Sequence, residues 1–573
     1  MNGFAGNINR KTAVPSAEPV FQPGLSMFQN ERVCIGVDGS IGISPVDICN
    51  LYLHRGENFL SSLQGSFSLC LYDKEKRNLI LARDRYGGKN VFYHFSPDRI
   101  VFANTMTALQ TCLGSSFVRT LRLDAVADFL SVQYVPQEKT IYEQIFKLLP
   151  GHCLTYSFPT NELAVRQWYF PERKQTDISY GNACNKLKEL LLQSIRIRLK
   201  QADDLGLYWG ILLSGGIDSA IVTSLLASET KDTFPSYTAV FRENDYNELD
   251  AAMRTHAFIE SFCGRKLPHK VVPIPEARID LLEWLVEKSD NPFADASLYP
   301  FAEICKTASE QTAFLFTGDG ADELFFGYDR YIAMRLFRLT SFLPCRLLTR
   351  FLPQKGERTL SGRLNRFFRL ASQKSEERYF SLLSHFAQER FSELFYGELA
   401  EAASSFPHSF VHPAFCDAAE SAARFDFKNY LPDDILVKSE YGSRAAGVEI
   451  FAPFLSESIV DFAQSLPVDY KLHGKTKKRI LKDTFREMIP EELLTMPKRG
   501  FGVPIAAWLR NSWYPEIKKY LLSGDFLPDK WFRRDTIQKL ICEHKEGQAD
   551  HSYLLYSLLV LALFVKKNSC QEF

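Results

Sequence analysis

Cysteine is scarce in this sequence. Twelve are scattered over 573 residues with no C-x-x-C pair, which excludes a disulfide-built scaffold, a zinc ribbon and a paired-thiol redox centre and favours a reducing, cytoplasmic setting. Net charge is lacking as well. Sixty-eight Lys and Arg balance 68 Asp and Glu, so no global field recruits nucleic acid or an anionic membrane, and neither is expected as a partner. Long hydrophobic runs are missing too. The most apolar stretch, LLYSLLVLALFV from Leu554 to Val565, has twelve residues, too few to span a bilayer, and predicts a buried C-terminal helix instead. The polar opening MNGFAGNINRKTAVPS has no apolar centre of the kind a secretory signal needs. The chain shows no fixed-period repeat and no low-complexity tract. Aromatic residues, by contrast, abound. With 46 Phe, 24 Tyr and 46% apolar residues the composition is that of a folded protein, and at about 100–200 residues per domain the length implies two to four domains.

Local patterning divides the chain. Short apolar or alternating segments, such as FSLCLYD from Phe67 and NLILARDRYGG from Asn78, predict antiparallel strands, these two joined by a tight connection at Lys74 to Lys76. Such segments continue to about Phe170, and a polar stretch near 171–182 follows. Beyond it the period turns helical, as in NACNKLKELLLQSIRIRLK, and the remainder reads as mostly helix with a few buried strands. One domain is therefore expected over 1–175 and a second over 180–573.

The strongest motif is LYWGILLSGGIDSAIVTSLLAS, which predicts an apolar strand from Leu207 to Leu213, the turn Ser214-Gly215-Gly216-Ile217-Asp218-Ser219 and an apolar helix from Ala220. Two glycines let backbone amides approach an oxyanion, Ser214 and Ser219 add hydroxyl donors, and the helix directs its positive end at the same point. The spacing is not that of the Walker loop, and Asp218 would repel phosphate unless a divalent cation bridges the two. A second acidic turn, in FLFTGDGADELFFGYDRY, follows an apolar strand from Ala313 to Phe316 and carries Gly318, Asp319, Asp322 and Glu323. The carboxyl end of a parallel strand is where open α/β sheets bind ligands. Paired with Asp218, the carboxylates Asp319, Asp322 and Glu323 predict a magnesium site there.

Ser-Gly-Gly-x-Asp-Ser after a strand resembles the pyrophosphate loop of the ATP pyrophosphatase families, which cleave ATP to AMP and pyrophosphate. With NPFADAS from Asn291, TGDGADELFFGYDRY from Thr317, YLPDDILVK from Tyr430, GVEIFAPFL from Gly447 and PKRGFGVP from Pro497, the order and spacing are similar to those of the glutamine-dependent asparagine synthetases. LQGSFSLCLYD from Leu63, LARDRYGGKNVFYH from Leu81 and LLPGHCL from Leu148 look like the glutaminase domain of that family. The resemblance covers nearly the whole chain. It implies an Ntn-type (N-terminal nucleophile) antiparallel β sandwich ahead of an α/β ATP pyrophosphatase domain with a parallel sheet and many helices. The implied chemistry uses ATP and Mg2+ to adenylate a carboxylate, which an amine then attacks. The resemblance makes Ser214, Gly215, Gly216, Asp218, Ser219 and Gly318 the nucleotide-binding residues and Asp218 and Asp322 the magnesium ligands. It places Asp319 beside the acyl adenylate and gives Lys498 the task of neutralising charge that develops at the phosphate.

The departures from the family shape the expected function. Its glutaminase uses a Cys at position 2, exposed by removal of the initiator Met, as nucleophile; here that position is Asn2, whose carboxamide cannot attack an amide carbon. The family's R-H-R-G-P-D stretch is missing between Gly6 and Val33, and its Asn-Gly-Glu glutamine-binding turn is Asp38-Gly39-Ser40. Loss of glutamine hydrolysis is expected. On the acceptor side Phe451 stands where V-E-x-R-x-P-F-L-D carries Arg, and D-R-x-S-M has become Glu440-Tyr441-Gly442-Ser443-Arg444. Loss of the guanidinium disfavours a small dicarboxylate acceptor, unless Phe451 merely packs a remodelled core. The expected activity is an ATP-dependent, AMP-forming amide ligase whose amine does not come from its own glutaminase. An intramolecular or peptide amine fits, as in the related β-lactam synthetases and lasso peptide cyclases. The partner is then a carboxylate-bearing small molecule or a precursor peptide, with a precursor-processing protease alongside. Ammonia-dependent asparagine synthesis is the alternative. A nucleotide-binding pseudoenzyme scaffold is disfavoured by the intact Asp218, Asp322 and Lys498, and a tRNA-modifying pyrophosphatase by the neutral charge balance and the glutaminase-like third.

Overall fold

The computed structural model describes residues 3–9, 20–21, 26–169, 171, 176–243, 248–276, 278–339, 367–373, 375–386, 390–404, 417–496 and 502–568. The N-terminal half contains two antiparallel sheets. One orders its six strands Glu162–Gln167, His152–Ser157, Asn78–Arg83, Ser66–Asp73, Val33–Ser40 and Ser26–Gln29; the other orders five, Val20–Phe21, Phe4–Asn9, Arg99–Ala103, Phe92–Phe95 and Phe146–Lys147. The period of two in Ser66–Asp73 explains their stacking. Phe67, Leu69 and Leu71 face Ile48 and Tyr52 of the Pro45–Arg55 helix, while Cys70 and Tyr72 face Phe4, Ile100 and Phe102 of the second sheet. That strand is buried on both faces, as the centre of a sandwich requires. The expected hairpin forms, Asp73 opposite Asn78, and Asp73 Oδ1 accepts the amides of Glu75 at 3.0 Å and Lys76 at 2.8 Å to close the turn.

The C-terminal half is built on a parallel sheet ordered His269–Pro273, Ser236–Val240, Trp209–Leu212, Phe314–Phe316 and Glu449–Phe451. The three central strands are short, mostly apolar and covered by helices on both faces, as parallel sheets demand. On one face lie Tyr180–Leu205 and Ile217–Glu229; on the other, Leu298–Ser309 and a long helix from Ala418 to Ala446. That long helix widens to π geometry over Asp426–Ile435, which contains Pro432. A proline ring has no N–H to donate and crowds the preceding turn, so Leu436 reaches back to the carbonyl of Leu431 instead. The chain runs from Trp209–Leu212 outward to one edge and then returns to Phe314–Phe316 on its other side. The topological switch point therefore lies between these two strands, and their carboxyl ends open a crevice.

All twelve residues of the apolar run from Leu554 to Val565 are buried, inside the Ser552–Asn568 helix. Phe564 lies 6.4 Å from Tyr142 of the N-terminal half, and Tyr556 stacks on Trp513 at 5.9 Å, so this helix packs against both halves. Among the described residues no helix is long and apolar enough to cross a membrane. Truncating Leu559, which is fully buried, to Ala is expected to destabilise the protein by about 2–5 kcal/mol in urea titration, the range for a poorly relaxing core cavity.

Candidate active site

Two loops leave the sheet side by side at the switch point. The first passes through Ser214, Gly215 and Gly216 into the Ile217–Glu229 helix, which starts earlier than the expected Ala220. Gly216 is its cap in an extended conformation (φ −93°, ψ 157°) with no side-chain hydrogen bond. Asp218 and Ser219 thus belong to the first helical turn, where backbone amides have no intrahelical acceptor and the helix dipole favours an anion. Ser214 Oγ and Ser219 Oγ are 3.1 Å apart, and Ser219 Oγ donates to the carbonyl of Gly216 at 3.1 Å. A Cβ at Gly215 would stand 2.7 Å from Ala251 Cβ and 3.1 Å from the Glu248 carbonyl, and one at Gly318 would stand 2.7 Å from Asp218 Cβ. Gly215 thus lets the first loop pass against the Leu249–Cys263 helix, and Gly318 lets the second loop approach the first.

The second loop carries Asp319 and Asp322, and Asp322 meets Asp218 through a third element. Lys478, in a left-handed conformation (φ 52°) at the start of the Arg479–Thr484 helix, places Nζ 2.7 and 2.6 Å from the two oxygens of Asp218 and 2.6 Å from Asp322 Oδ1. Its side chain is 6% exposed. Burial disfavours its charge, but the attraction of Asp218 and Asp322 outweighs this and holds its pKa above that of an ordinary lysine. A Cβ at Gly327 would stand 1.6 Å from Asp322 Oδ1 and 2.3 Å from Lys478 Cε, so the cluster closes over a glycine. Lys478 escapes sequence reasoning because Lys475, Lys477 and Lys482 are its neighbours, and nothing in residue type separates the buried one from the rest.

Two carboxylates converging on one point suit magnesium, which keeps several waters and takes its remaining oxygens from substrate phosphates. Among the described residues no group of three or more His, Cys, Asp or Glu is placed to hold a metal unaided. Asp218 and Asp322 therefore fit a magnesium ion that phosphate oxygens complete. Such an ion would supply charge neutralisation at a departing pyrophosphate.

Asp319 lies beside this cluster and accepts a hydrogen bond from Ser439 Oγ at 2.8 Å on Oδ2. Ser439 and its neighbour Lys438 project from the Leu436–Ala446 helix. Burial works against the charge of Lys438, but Asp319, Asp295, Asp434 and Glu323 raise its pKa. Burial and the nearby charge of Asp295 hold the Asp434 carboxyl well above the usual range. NPFADAS and YLPDDILVK thus contribute Asp295, Asp434 and Lys438 to this centre, and Ser439 follows the second block directly; residue type alone did not separate these roles. Lys498 lies outside the described residues, as does Asn2.

Of the two readings of Phe451, the structure favours core packing. Its ring meets Phe316 edge-on at 5.4 Å, and the Arg198 guanidinium covers it at 5.4 Å. Both contacts lie on the helical face of the sheet formed by Tyr180–Leu205, so Phe451 packs the core. The turn Asp38-Gly39-Ser40 is likewise committed to protein contacts. Asp38 Oδ2 accepts from Asn104 Nδ2 at 2.8 Å, Asn104 Oδ1 accepts the amide of Phe4 at 3.1 Å, and Ser40 Oγ accepts from Arg198 at 2.7 Å. Cys34 is 1% exposed and Cys70 fully buried, with burial pushing the Cys70 thiol well up, so neither is an accessible thiolate.

Lys478→Met strips the buried ammonium from two facing, partly exposed carboxylates, at an expected cost near or below the low end of the about 3–5 kcal/mol range for a fully buried pair. Calorimetry should show a lowered Tm that millimolar Mg2+ partly restores. The same variant carrying Asp218→Asn as well should lose most of that Mg2+ response.

The asparagine synthase family model matches residues 186–566, and the glutamine amidotransferase domain model matches residues 47–169. A glutamine-hydrolysing asparagine synthetase of Bacillus subtilis is 25% identical over 529 residues, covering 90% of this chain and 80% of the relative. The amidase chry2 of Gibberella zeae is 24% identical over 83% of this chain and 75% of its own. The amidase chyE of Penicillium rubens is 28% identical over 51% of this chain and 44% of its own. A parallel sheet whose switch point brings Asp218, Asp322 and Lys478 together, behind an antiparallel sandwich, accords with these matches, and the chain belongs to the asparagine synthase family of ATP-dependent carbon–nitrogen ligases.

Proposed function

We propose that the protein adenylates a carboxylate with ATP and Mg2+ and joins it to an amine that its own glutaminase-like half does not release. The observation that carries this reading is the pairing of an intact acidic cluster, Asp218 and Asp322 on Lys478, with a glutamine-side turn whose Asp38 is occupied by Asn104. The Ser214–Ser219 loop would cradle the pyrophosphate, Asp218 and Asp322 would hold magnesium on it, and Lys478 would compensate the charge left on the cluster. Asp319, oriented by Ser439, would line the acyl adenylate. The resemblance gives Lys498 the task of stabilising charge at the phosphate.

The acceptor we favour is an intramolecular or peptide amine, with a carboxylate-bearing small molecule or precursor peptide as substrate and a precursor-processing protease as partner. Two fungal relatives carry the name amidase rather than synthetase, so membership of this family does not by itself fix asparagine as product. Ammonia-dependent asparagine formation is the second reading. It is favoured by the packing of Phe451 against Phe316 and Arg198, which removes one argument against aspartate.

Asp218→Ala and Asp322→Ala are each expected to abolish formation of AMP and pyrophosphate while the far-UV circular dichroism stays unchanged. Recovery of ADP and phosphate from the unaltered protein would overturn the adenylation reading. Glutamine should yield no glutamate above a buffer control, because no accessible thiolate faces the Asp38 turn among the described residues. Aspartate with ammonium chloride and MgATP should give only traces of asparagine. Formation at roughly one per second or faster, a typical enzymatic rate, would establish the second reading instead.

A further inference from the structure

Beside the Asp38-Gly39-Ser40 turn, a lysine reaches across to the C-terminal half. Lys89 follows the Asn78–Arg83 strand and is fixed at its backbone: its amide donates to Asp84 Oδ2 at 2.9 Å, and its carbonyl accepts from Arg83 Nε at 2.6 Å. Its stem crosses Gly39, where a Cβ would stand 3.1 Å from Lys89 Cε and 2.3 Å from the Ser66 carbonyl, and where φ is +100°. A side chain at position 39 would block that path. The ammonium then reaches between the halves, 3.9 Å from Asp38 Oδ1 and 2.9 Å from Glu440 Oε2. Glu440 continues to Arg444 at 3.7 Å, and Arg444 to Asp290 at 2.9 Å and to the Lys288 carbonyl at 2.8 Å. Asp290 Oδ1 accepts the amide of Met106, back in the N-terminal half, at 2.8 Å. The charges alternate along the whole line, and the side chains of Glu440 and Asp290 are 6% and 3% exposed.

Glu440 follows Ser439 directly on the Leu436–Ala446 helix, and Ser439 donates to Asp319. We propose that Lys89 is a positioning residue for the ligase centre: by holding Glu440 it fixes the axial register and rotation of this helix and so aims Ser439 at Asp319. The degenerate turn serves the same end, Asp38 as counter-charge and Gly39 as the gap through which the lysine stem passes. The proposal rests on the ligase reading for its purpose, but its geometry is testable without any substrate.

Hydrogen exchange on the full-length protein, resolved to peptides, provides the test. In Lys89→Met, amides of the Leu436–Ala446 helix and of the turn over 317–323 should exchange about tenfold faster or more, in line with coupling between contacting buried groups. The Ser552–Asn568 helix should stay within about twofold, as a site outside the coupled unit does. Lys89→Arg should retain protection. Lys89→Met with Glu440→Met should recover most of it, since removing both partners of a buried pair costs far less than removing one. In a Ser439→Ala background, Lys89→Met should still loosen the helix but add nothing at the turn. If Lys89→Met folds poorly, Lys89→Gln carries the same comparison. Uniform loosening of all peptides, an unmoved turn, or an equal effect with and without the Ser439 hydroxyl would overturn the proposal. Failure to form AMP and pyrophosphate, with this exchange pattern intact, would overturn the ligase reading and leave the coupling standing.

Discussion

Two carboxylates from different loops share one ammonium, and much else in the ligase half follows from that. Asp218 sits in the first turn of one helix and Asp322 in the Ala321–Phe325 helix beyond the neighbouring strand; brought together unneutralised they would repel each other and force the loops apart. Lys478 lets them close, and closure requires that Gly318 and Gly327 carry no side chain. A parallel sheet with its switch point between Trp209–Leu212 and Phe314–Phe316 delivers both loops to the same crevice. The cluster is compact because Lys478 supplies its counter-charge from within; a magnesium ion on phosphate would enter the same field and relieve Lys478 of part of its load.

The N-terminal sandwich keeps the packing of a glutaminase domain while its polar groups have turned inward. Its central strands are buried on both faces, so the sandwich needs no catalytic residue for its stability. Among the described residues, the rim that faces the second half is held by polar contacts: Asp38 holds Asn104 and lies near Lys89, and Ser40 holds Arg198. These contacts commit that rim to the protein's own side chains.

Much of this was legible in the sequence. The hairpin 66–83, the strand–loop–helix around Ser214, the acidic turn after Phe316 and the buried C-terminal helix all appear where periodicity and turn residues placed them. Local signals of this sort depend on neighbours a few residues away. The helix start at Ile217 was missed because the glycines that end the loop also cap the helix, and composition does not say where the first helical φ falls. Phe451 was ambiguous for a different reason. In a three-residue strand the face a side chain takes depends on register with Phe316 and on the Arg198 guanidinium from a helix some 250 positions earlier in the chain, and neither is visible in a motif. Lys478, Lys438 and Ser439 were likewise hidden, since their importance comes from what the fold sets opposite them.

The line from Asp38 to Asp290 raises the question of why buried charge persists at the junction at all. Desolvating five ionised groups is costly, and apolar side chains of similar volume would join the two halves at least as firmly. Stability alone therefore does not account for it. Apolar contact is tolerant of sliding, because a helix face that shifts by a fraction of a turn loses little buried area, whereas an ion pair at 2.9 Å between Lys89 and Glu440 is lost almost entirely by the same shift. A centre in which Asp319 is oriented by a single hydroxyl at 2.8 Å needs that intolerance. The charges are thus best understood as setting the register of the Leu436–Ala446 helix, with the large apolar core around it supplying the free energy that keeps them buried.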